Sequence, residues 1–242
     1  MRRFDGKTYW LVGASEGLGR ALAMKLSKTG AEVIVSARSA DRLNDLVADL
    51  PGKARAISCD VSDPESVEKA AAEAGDVDGL VFLAGVYWPI KTTEWDAGKV
   101  EAMFDVNLTG AARVLGRVVP RMVEKGAGHI VLTGSLSGFR GLPGAVGYGA
   151  TKAGIMSLGE SMRLDLRGTG VAVQNANPGF IKTRLTDKNE FKMPFLMTPE
   201  EAADHMMTLM RSDRFASSFP WAFGLWFRFS RFLPQWLYER VY

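Results

Sequence analysis

Cysteine, histidine and long apolar runs are all scarce in this chain, and each shortage removes a class of function. Cys59 is the sole cysteine, so an intrachain disulfide is impossible and a reducing compartment, the cytoplasm, is expected. His129 and His205 are the only histidines and stand far apart, which together with a single thiol argues against a transition-metal site. No stretch approaches the ~18 uninterrupted apolar residues of a spanning helix. Residues 1–7 lead straight into a strand pattern, without the apolar core of a signal peptide. Basic and acidic residues nearly balance, 30 against 27, and the net charge of +3 is too small to argue for nucleic acid. What remains is ordinary globular material: 242 residues, 47% hydrophobic, enough for one α/β domain with a buried core.

Short apolar runs at residues 8–12, 32–38, 54–59, 77–85, 129–133 and 171–176 read as buried strands. Helical patterns separate them, which predicts a parallel, doubly wound sheet of the Rossmann type in three α/β/α layers. The first strand runs into Gly13-Ala14-Ser15-Glu16-Gly17-Leu18-Gly19 and then a helix. Such a turn presents helix N–H groups to a phosphate: Gly13 permits the tight turn, Gly17 close backbone approach, and Gly19 packing of helix on strand. The second strand ends Ser36-Ala37-Arg38, where an acidic residue would select NAD through the ribose hydroxyls. A guanidinium there suits a 2′-phosphate instead, so NADP(H) is expected over NAD(H). Glu16 counts against that choice, because a basic residue in the glycine loop would help hold the same phosphate. Asp60, at the end of the third strand, is either an acceptor for the adenine amino group or simple turn chemistry. Ser62 or Asp63 is expected to cap the next helix. Helices are expected at residues 93–108 and 111–124, with Asn107 near their junction as either a structural bracket or part of a site.

Tyr148 and Lys152 are four residues apart in a helical pattern spanning 145–167, hence one turn apart on one face. A free phenol titrates near ~10, and a cation ~4–5 Å away at an effective dielectric of ~20 favours the phenolate by roughly 3–4 kcal/mol. That is about two to three pKa units, enough to make the phenol an acid/base near neutral pH.

Taken together, Gly13-x-x-x-Gly17-x-Gly19, Asp60, Ala84-Gly85, Asn107, Ser135, Tyr148-x-x-x-Lys152 and Pro178-Gly179 resemble the short-chain dehydrogenase/reductase family in its single-domain branch. The resemblance runs from about residue 7 to 211. It implies a hydride transfer between NADP(H) and a carbonyl or secondary alcohol. Tyr148 would exchange the proton with the substrate oxygen, Ser135 would hold that oxygen, Lys152 would lower the Tyr148 pKa and bind the nicotinamide ribose, and Asn107 would support a proton-relaying water. The cofactor contacts it implies are Gly13, Ser15, Glu16, Gly17, Leu18, Gly19, Arg38, Asp60, Val61, Ala84, Gly85, Tyr148, Lys152, Pro178, Gly179, Ile181 and Thr183. Substrate contacts are Ser135, Tyr148 and Ser137, the last of which either lines the pocket or caps a turn. Phe82-Leu83 stand where relatives often carry two asparagines, Gly149 follows the tyrosine, and the Asp-Gly-Gly ending of relatives is missing. A homodimer or homotetramer is expected. The runner-up reading is an NADP(H)-binding sensor or scaffold without turnover, and a third is an isomerase or dehydratase with recycled cofactor. An intact set of Asn107, Ser135, Tyr148 and Lys152 speaks for the enzyme.

The catalytic region is expected over residues 1–213, including an apolar, methionine-rich substrate loop at about 184–197. Residues 214–242 form an extension of the same domain. Thr198-Pro199-Glu200-Glu201 is a helix start, with Thr198 as cap. In the extension eleven of 29 residues are aromatic, and Arg214, Arg228, Arg231 and Arg240 against Glu239 hold all of the chain's excess charge. An edge strand at 214–219 and short helices at 221–232 and 235–241 are expected. Three uses stay open for this tail: packing within an oligomer, peripheral membrane contact, or a wall for the substrate.

Overall fold

The computed structural model describes residues 1–189 and 191–241; Glu190 of the expected substrate loop and Tyr242 of the tail lie outside the described residues. The strand patterns form β1 (Thr8–Val12), β2 (Glu32–Ala37), β3 (Ala54–Ser58), β4 (Gly79–Phe82), β5 (Gly128–Thr133), β6 (Val171–Pro178) and β7 (Ala216–Phe219). They make one sheet in the order β3-β2-β1-β4-β5-β6-β7, every neighbouring pair parallel. Registers such as Val12 opposite Phe82, Thr133 opposite Ala176 and Pro178 opposite Phe219 align the carboxyl ends along one rim.

Strand residues alternate between two cores because side chains of a strand point to opposite faces. Tyr9, Leu11, Val33, Val35, Val81 and Val131 pack on one face against α1 (Gly17–Ser27), α2 (Ala40–Asp49) and α7 (Pro199–Arg211). Trp10, Val12, Ile34, Leu80, Phe82 and Ile130 pack on the other against α3 (Pro64–Ala74), α5 (Gly110–Lys125) and α6 (Val146–Asp165). Each buried aliphatic side chain contributes ~1.5–3 kcal/mol, so both layers hold the sheet between them. This is the three-layer Rossmann architecture expected from the alternation.

Local chemistry sets the helix starts. The Asp63 side chain caps α3 through the Glu65 N–H, and Thr198 with Glu201 makes a reciprocal capping box on α7. The helix expected from residue 93 begins later, because Thr92–Glu94 is a single tight turn and Asp96 caps α4 (Ala97–Phe104) by accepting from the Lys99 N–H. Between α4 and α5 the chain widens into one π turn, Asp105–Thr109, which carries Asn107. The last strand starts at Ala216, and two short helices follow it: α8 (Trp221–Ser230) and α9 (Gln235–Tyr238).

Candidate active site

The strand order reverses direction on either side of β1 and β4, and ligands of open α/β sheets bind outside the carboxyl ends at such a switch point. Here the rim opens into a cleft of about 350 Å³. Its floor and walls include every residue expected to touch a cofactor: Gly13, Ser15, Glu16, Gly17, Leu18, Gly19, Arg38, Asp60, Val61, Ala84, Gly85, Tyr148, Lys152, Pro178, Gly179, Ile181 and Thr183. Ser135 and Ser137 line it as well. Asn107 does not; it lies behind the wall, fully buried.

The glycine turn is built for close approach. Gly13 has φ +96° and a Cβ there would stand 2.4 Å from the Ala84 nitrogen. At Gly17 (φ +55°) a Cβ would meet the Thr183 methyl at 2.9 Å, so this glycine lets the loop after β6 close on the loop after β1. Helix α1 starts without a side-chain cap and with no acid in its first turn, which leaves its leading N–H groups available to an anion. These features fit a dinucleotide's phosphates.

Glu16, which counted against a nearby phosphate, is paired with Arg42 at 2.7 Å and with Arg184 at 3.1 Å. Arg42 also lines the cleft, alongside Arg38. Sequence reasoning passed over Arg42; its place in the first turn of α2, four residues after Arg38, was the available signal. Asp60 does its turn chemistry: Oδ1 accepts from the Ser62 N–H (3.0 Å) and hydroxyl (2.6 Å). Burial by itself would raise this carboxyl, but the Ser62 bonds and the Arg38 and Arg113 charges outweigh it and hold it below the usual range. Arg38 therefore already faces one anion at the rim.

At the other end of the cleft, α6 presents Tyr148 half-buried and Lys152 buried. The Lys152 ammonium lies 5.6 Å from the Tyr148 ring centroid and donates to the Thr133 carbonyl at 2.9 Å. Tyr87 packs edge-on against the Tyr148 ring at 4.9 Å, a contact the sequence did not announce. Ser135 Oγ accepts from the Ser137 N–H (3.2 Å) and from the Ser137 hydroxyl (2.9 Å). With both lone pairs engaged, the Ser135 hydroxyl is left as a donor, and the Tyr148 phenol lies within its reach. Ser137 lines the cleft, whereas the cap of the following turn is Ser135, whose Oγ takes the Ser137 N–H.

Asn107 brackets the site from behind. Its Oδ1 accepts from the Val86 N–H at 2.7 Å, and its Nδ2 donates to the Val86 carbonyl at 3.0 Å and to Thr151 Oγ1 at 3.1 Å. A Cβ on Gly85 would stand 3.3 Å from Asn107 Oδ1 and 3.8 Å from the Lys152 ammonium, so that glycine keeps the space between them open.

Burial works against the expected effect of Lys152 on the phenol. Lys152 was expected to bring the phenol towards neutrality, yet burial pushes Tyr148 up to about 12, with the Ser135 hydrogen bond opposing and Tyr87 adding slightly. The cause is desolvation of the phenol itself; the same burial brings the Lys152 ammonium down to about 8, which leaves it charged at neutral pH.

The apolar half of the cleft is formed by Leu142, Pro143, Phe180, Leu185, Phe191, Phe223 and Phe227. The loop supplying several of these is closed at its base by Lys182 N–H to Met197 O (2.9 Å) and Met197 N–H to Phe180 O (3.0 Å). It leans on the fourth-strand loop through Tyr87 hydroxyl to Asn189 Oδ1 (2.9 Å) and Lys188 ammonium to Tyr87 O (2.7 Å).

Comparison with known proteins agrees with this geometry. Residues 7–193 match the family model described as short chain dehydrogenase. An uncharacterized oxidoreductase of Myxococcus xanthus is 38% identical over 99% of this chain and 97% of its own length. A 3-oxoacyl-acyl-carrier-protein reductase of Thermotoga maritima is 32% identical over 88% of this chain and 86% of its own. Among solved structures, a short-chain dehydrogenase from Sphingobium yanoikuyae in complex with NADPH superposes with a TM-score of 0.82, at 27% identity and covering 88% of each chain.

Proposed function

The chain belongs to the short chain dehydrogenase family of NAD(P)-dependent oxidoreductases, and from that premise we propose that it is an NADP(H)-dependent reductase of apolar carbonyl compounds. The observation that carries this reading is the meeting, at one end of the cleft, of the Tyr148 phenol, the donor hydroxyl of Ser135 and the Lys152 ammonium. The glycine turn and the α1 N-terminus would hold the pyrophosphate, Arg38 and Arg42 the 2′-phosphate, and Lys152 and Thr183 the nicotinamide end. When bound, the nicotinamide supplies the hydride.

The chain's own groups do the rest. Ser135 donates a hydrogen bond to the substrate oxygen and fixes the carbonyl. Tyr148 gives its proton to that oxygen as negative charge develops there, and the nearby Lys152 charge stabilises the phenolate left behind. A phenol near 12 remains a competent acid towards an alkoxide, which is a far stronger base, whereas near neutral pH it is a poor base towards an alcohol. The apolar lining supports a hydrophobic substrate, and the Thermotoga maritima relative is named for a 3-oxoacyl group, a carbonyl on such a chain. Residues 1–213 are the catalytic unit and 214–242 its extension. The protein works in the cytoplasm, its exposed Phe104, Val123 and Leu164 serving a homodimer or homotetramer.

Tyr148→Phe keeps the ring and removes the proton. NADPH consumption across a carbonyl panel should fall by about 10²–10⁴ in kcat while NADPH affinity holds. Equal rates for the two proteins would refute the assignment and leave a binding protein without turnover.

A further inference from the structure

Helix α8 has two apolar faces with different fates. Phe223 and Phe227, one turn apart, line the cleft, and Gly224 lies on the same side against Ser218. On the opposite side Trp221, Leu225, Phe229 and, just past the helix end, Phe232 follow at helical spacing and face solvent; Trp221 is 73% exposed and Phe232 84%. Trp236 on α9 and Phe191, Phe195 and Leu196 of the substrate loop are exposed too. Of these, the loop's Phe195 and Phe191 are continuous with the cleft through ring contacts: Phe195 to Phe223 at 5.5 Å, Phe191 to Phe180 at 5.8 Å, Phe180 to Phe223 at 6.0 Å and Phe223 to Phe227 at 5.0 Å. In the tail part of this surface the charge is mostly basic: among the described residues 221–241 the charged side chains are Arg228, Arg231 and Arg240 with Glu239 as the one acid, and Arg240 lies over the Trp236 ring at 5.2 Å.

We propose that the outer face of α8 and α9, with the exposed tip of the substrate loop, docks the protein on an anionic lipid surface and lets apolar carbonyl substrates pass from the bilayer into the cleft. Large exposed aromatic surface marks an interaction site, and tryptophan with arginine suits the headgroup boundary of a membrane. A short helix with one apolar exposed face and basic flanks lies in that boundary without spanning it. No helix among the described residues is long and apolar enough to cross a membrane, in keeping with attachment at the surface. Charge decides against a second copy of this chain as the occupant. A two-fold contact through this face would bring two sets of Arg228 and Arg231 into one interface, whereas an anionic surface complements them. The tail is also held rigidly enough to act as a docking element. Arg140 donates to the carbonyls of Ser230 and Leu233, the latter at 2.9 Å, and the Tyr238 hydroxyl donates to the Gly141 carbonyl at 2.8 Å.

The docking half of this inference stands on the surface alone; the delivery half rests on the reductase reading. The test is co-sedimentation of the full chain with phosphatidylglycerol-containing vesicles and with pure phosphatidylcholine vesicles, for wild type and a variant carrying Trp221→Ser, Phe229→Ser and Phe232→Ser. These three side chains are exposed and outside the cleft lining, so folding and the turnover of a short water-soluble ketone should be unchanged. Wild type should bind the anionic vesicles at least tenfold more tightly than the variant, more weakly at high salt, and should prefer them to phosphatidylcholine. A long-chain ketone dissolved in the vesicles should be reduced by the variant with a kcat/KM at least tenfold lower. Wild type that stays in the supernatant, or a variant whose sole change is a smaller oligomer mass, overturns the docking. Vesicle binding by a wild type inert towards the soluble ketone would refute the reductase reading and the delivery step while docking stood.

Discussion

Replacing Asn107 by alanine removes, in one step, the partners of the Val86 N–H (2.7 Å), the Val86 carbonyl (3.0 Å) and the Thr151 hydroxyl (3.1 Å). A buried polar group left unpaired costs ~1–3 kcal/mol. Val86 borders the cleft and is half-buried, so water can partly replace the amide, and the low end applies: roughly 1 kcal/mol for each of its two peptide groups. Thr151 keeps its bond to the Tyr148 carbonyl at 2.8 Å and loses less. Adding the small void left in a fully buried place gives about 3 kcal/mol. In a chain of this length each kcal/mol moves Tm by about 2–4 °C, so the midpoint should drop by about 6–12 °C. Thermal unfolding followed by near-ultraviolet circular dichroism measures it. Asn107→Asp serves as a second variant: its carboxylate can still accept from Val86 N–H but cannot donate to the carbonyl or to Thr151, so it should be no more stable than alanine. A Tm within about 1 °C of wild type for both would refute the idea that this side chain clamps the fourth-strand loop to α6.

Two further outcomes are expected. Burial lowers the Lys152 ammonium from 10.5 to about 8, so between those values the unfolded chain binds more protons than the folded one, and the stability contribution of this group rises with pH across that window and is lost on descending it. The kcat/KM for carbonyl reduction, which reports the free enzyme, should decline as pH climbs through about 8 as the charge is lost, and Lys152→Arg should carry no such limb; the same limb in the variant would refute its origin in Lys152. Arg38→Ala and Arg42→Ala should each weaken NADPH binding by about 10–100-fold and leave NADH nearly unchanged, because a charge-assisted hydrogen bond is worth ~1.5–3 kcal/mol. Side-by-side fluorescence titrations check this, and a wild type preferring NADH would overturn the cofactor choice.

Most of the sheet was legible in the sequence because buried parallel strands read as uninterrupted apolar runs such as Tyr9–Val12 and Val33–Val35. The cleft floor was legible because glycines at Gly13, Gly17 and Gly19 are placed where any Cβ would collide with backbone or with Thr183. Less could be read where the outcome depends on long-range packing. The π turn at Asn107 leaves no mark in a 3.6-residue periodicity: it joins α4 to α5 without a break, where two separate helices were expected. Tyr87 against Tyr148, and Phe223 and Phe227 in the cleft wall, join segments more than 60 residues apart. Spacing reports how far Tyr148 lies from a charge, but not desolvation, the larger effect on its pKa, which depends on everything else that covers the ring.

The seventh strand lies parallel to the sixth, which settles a matter of geography. A final strand running the other way would have released the chain at the floor of the molecule, far from any chemistry. Running as it does, it hands whatever follows Phe219 to the doorway of the reaction chamber. Appended sequence at that point becomes architecture for the entrance, so exchanging residues 220–241 between relatives should re-tailor which guests are admitted and leave the machinery inside untouched.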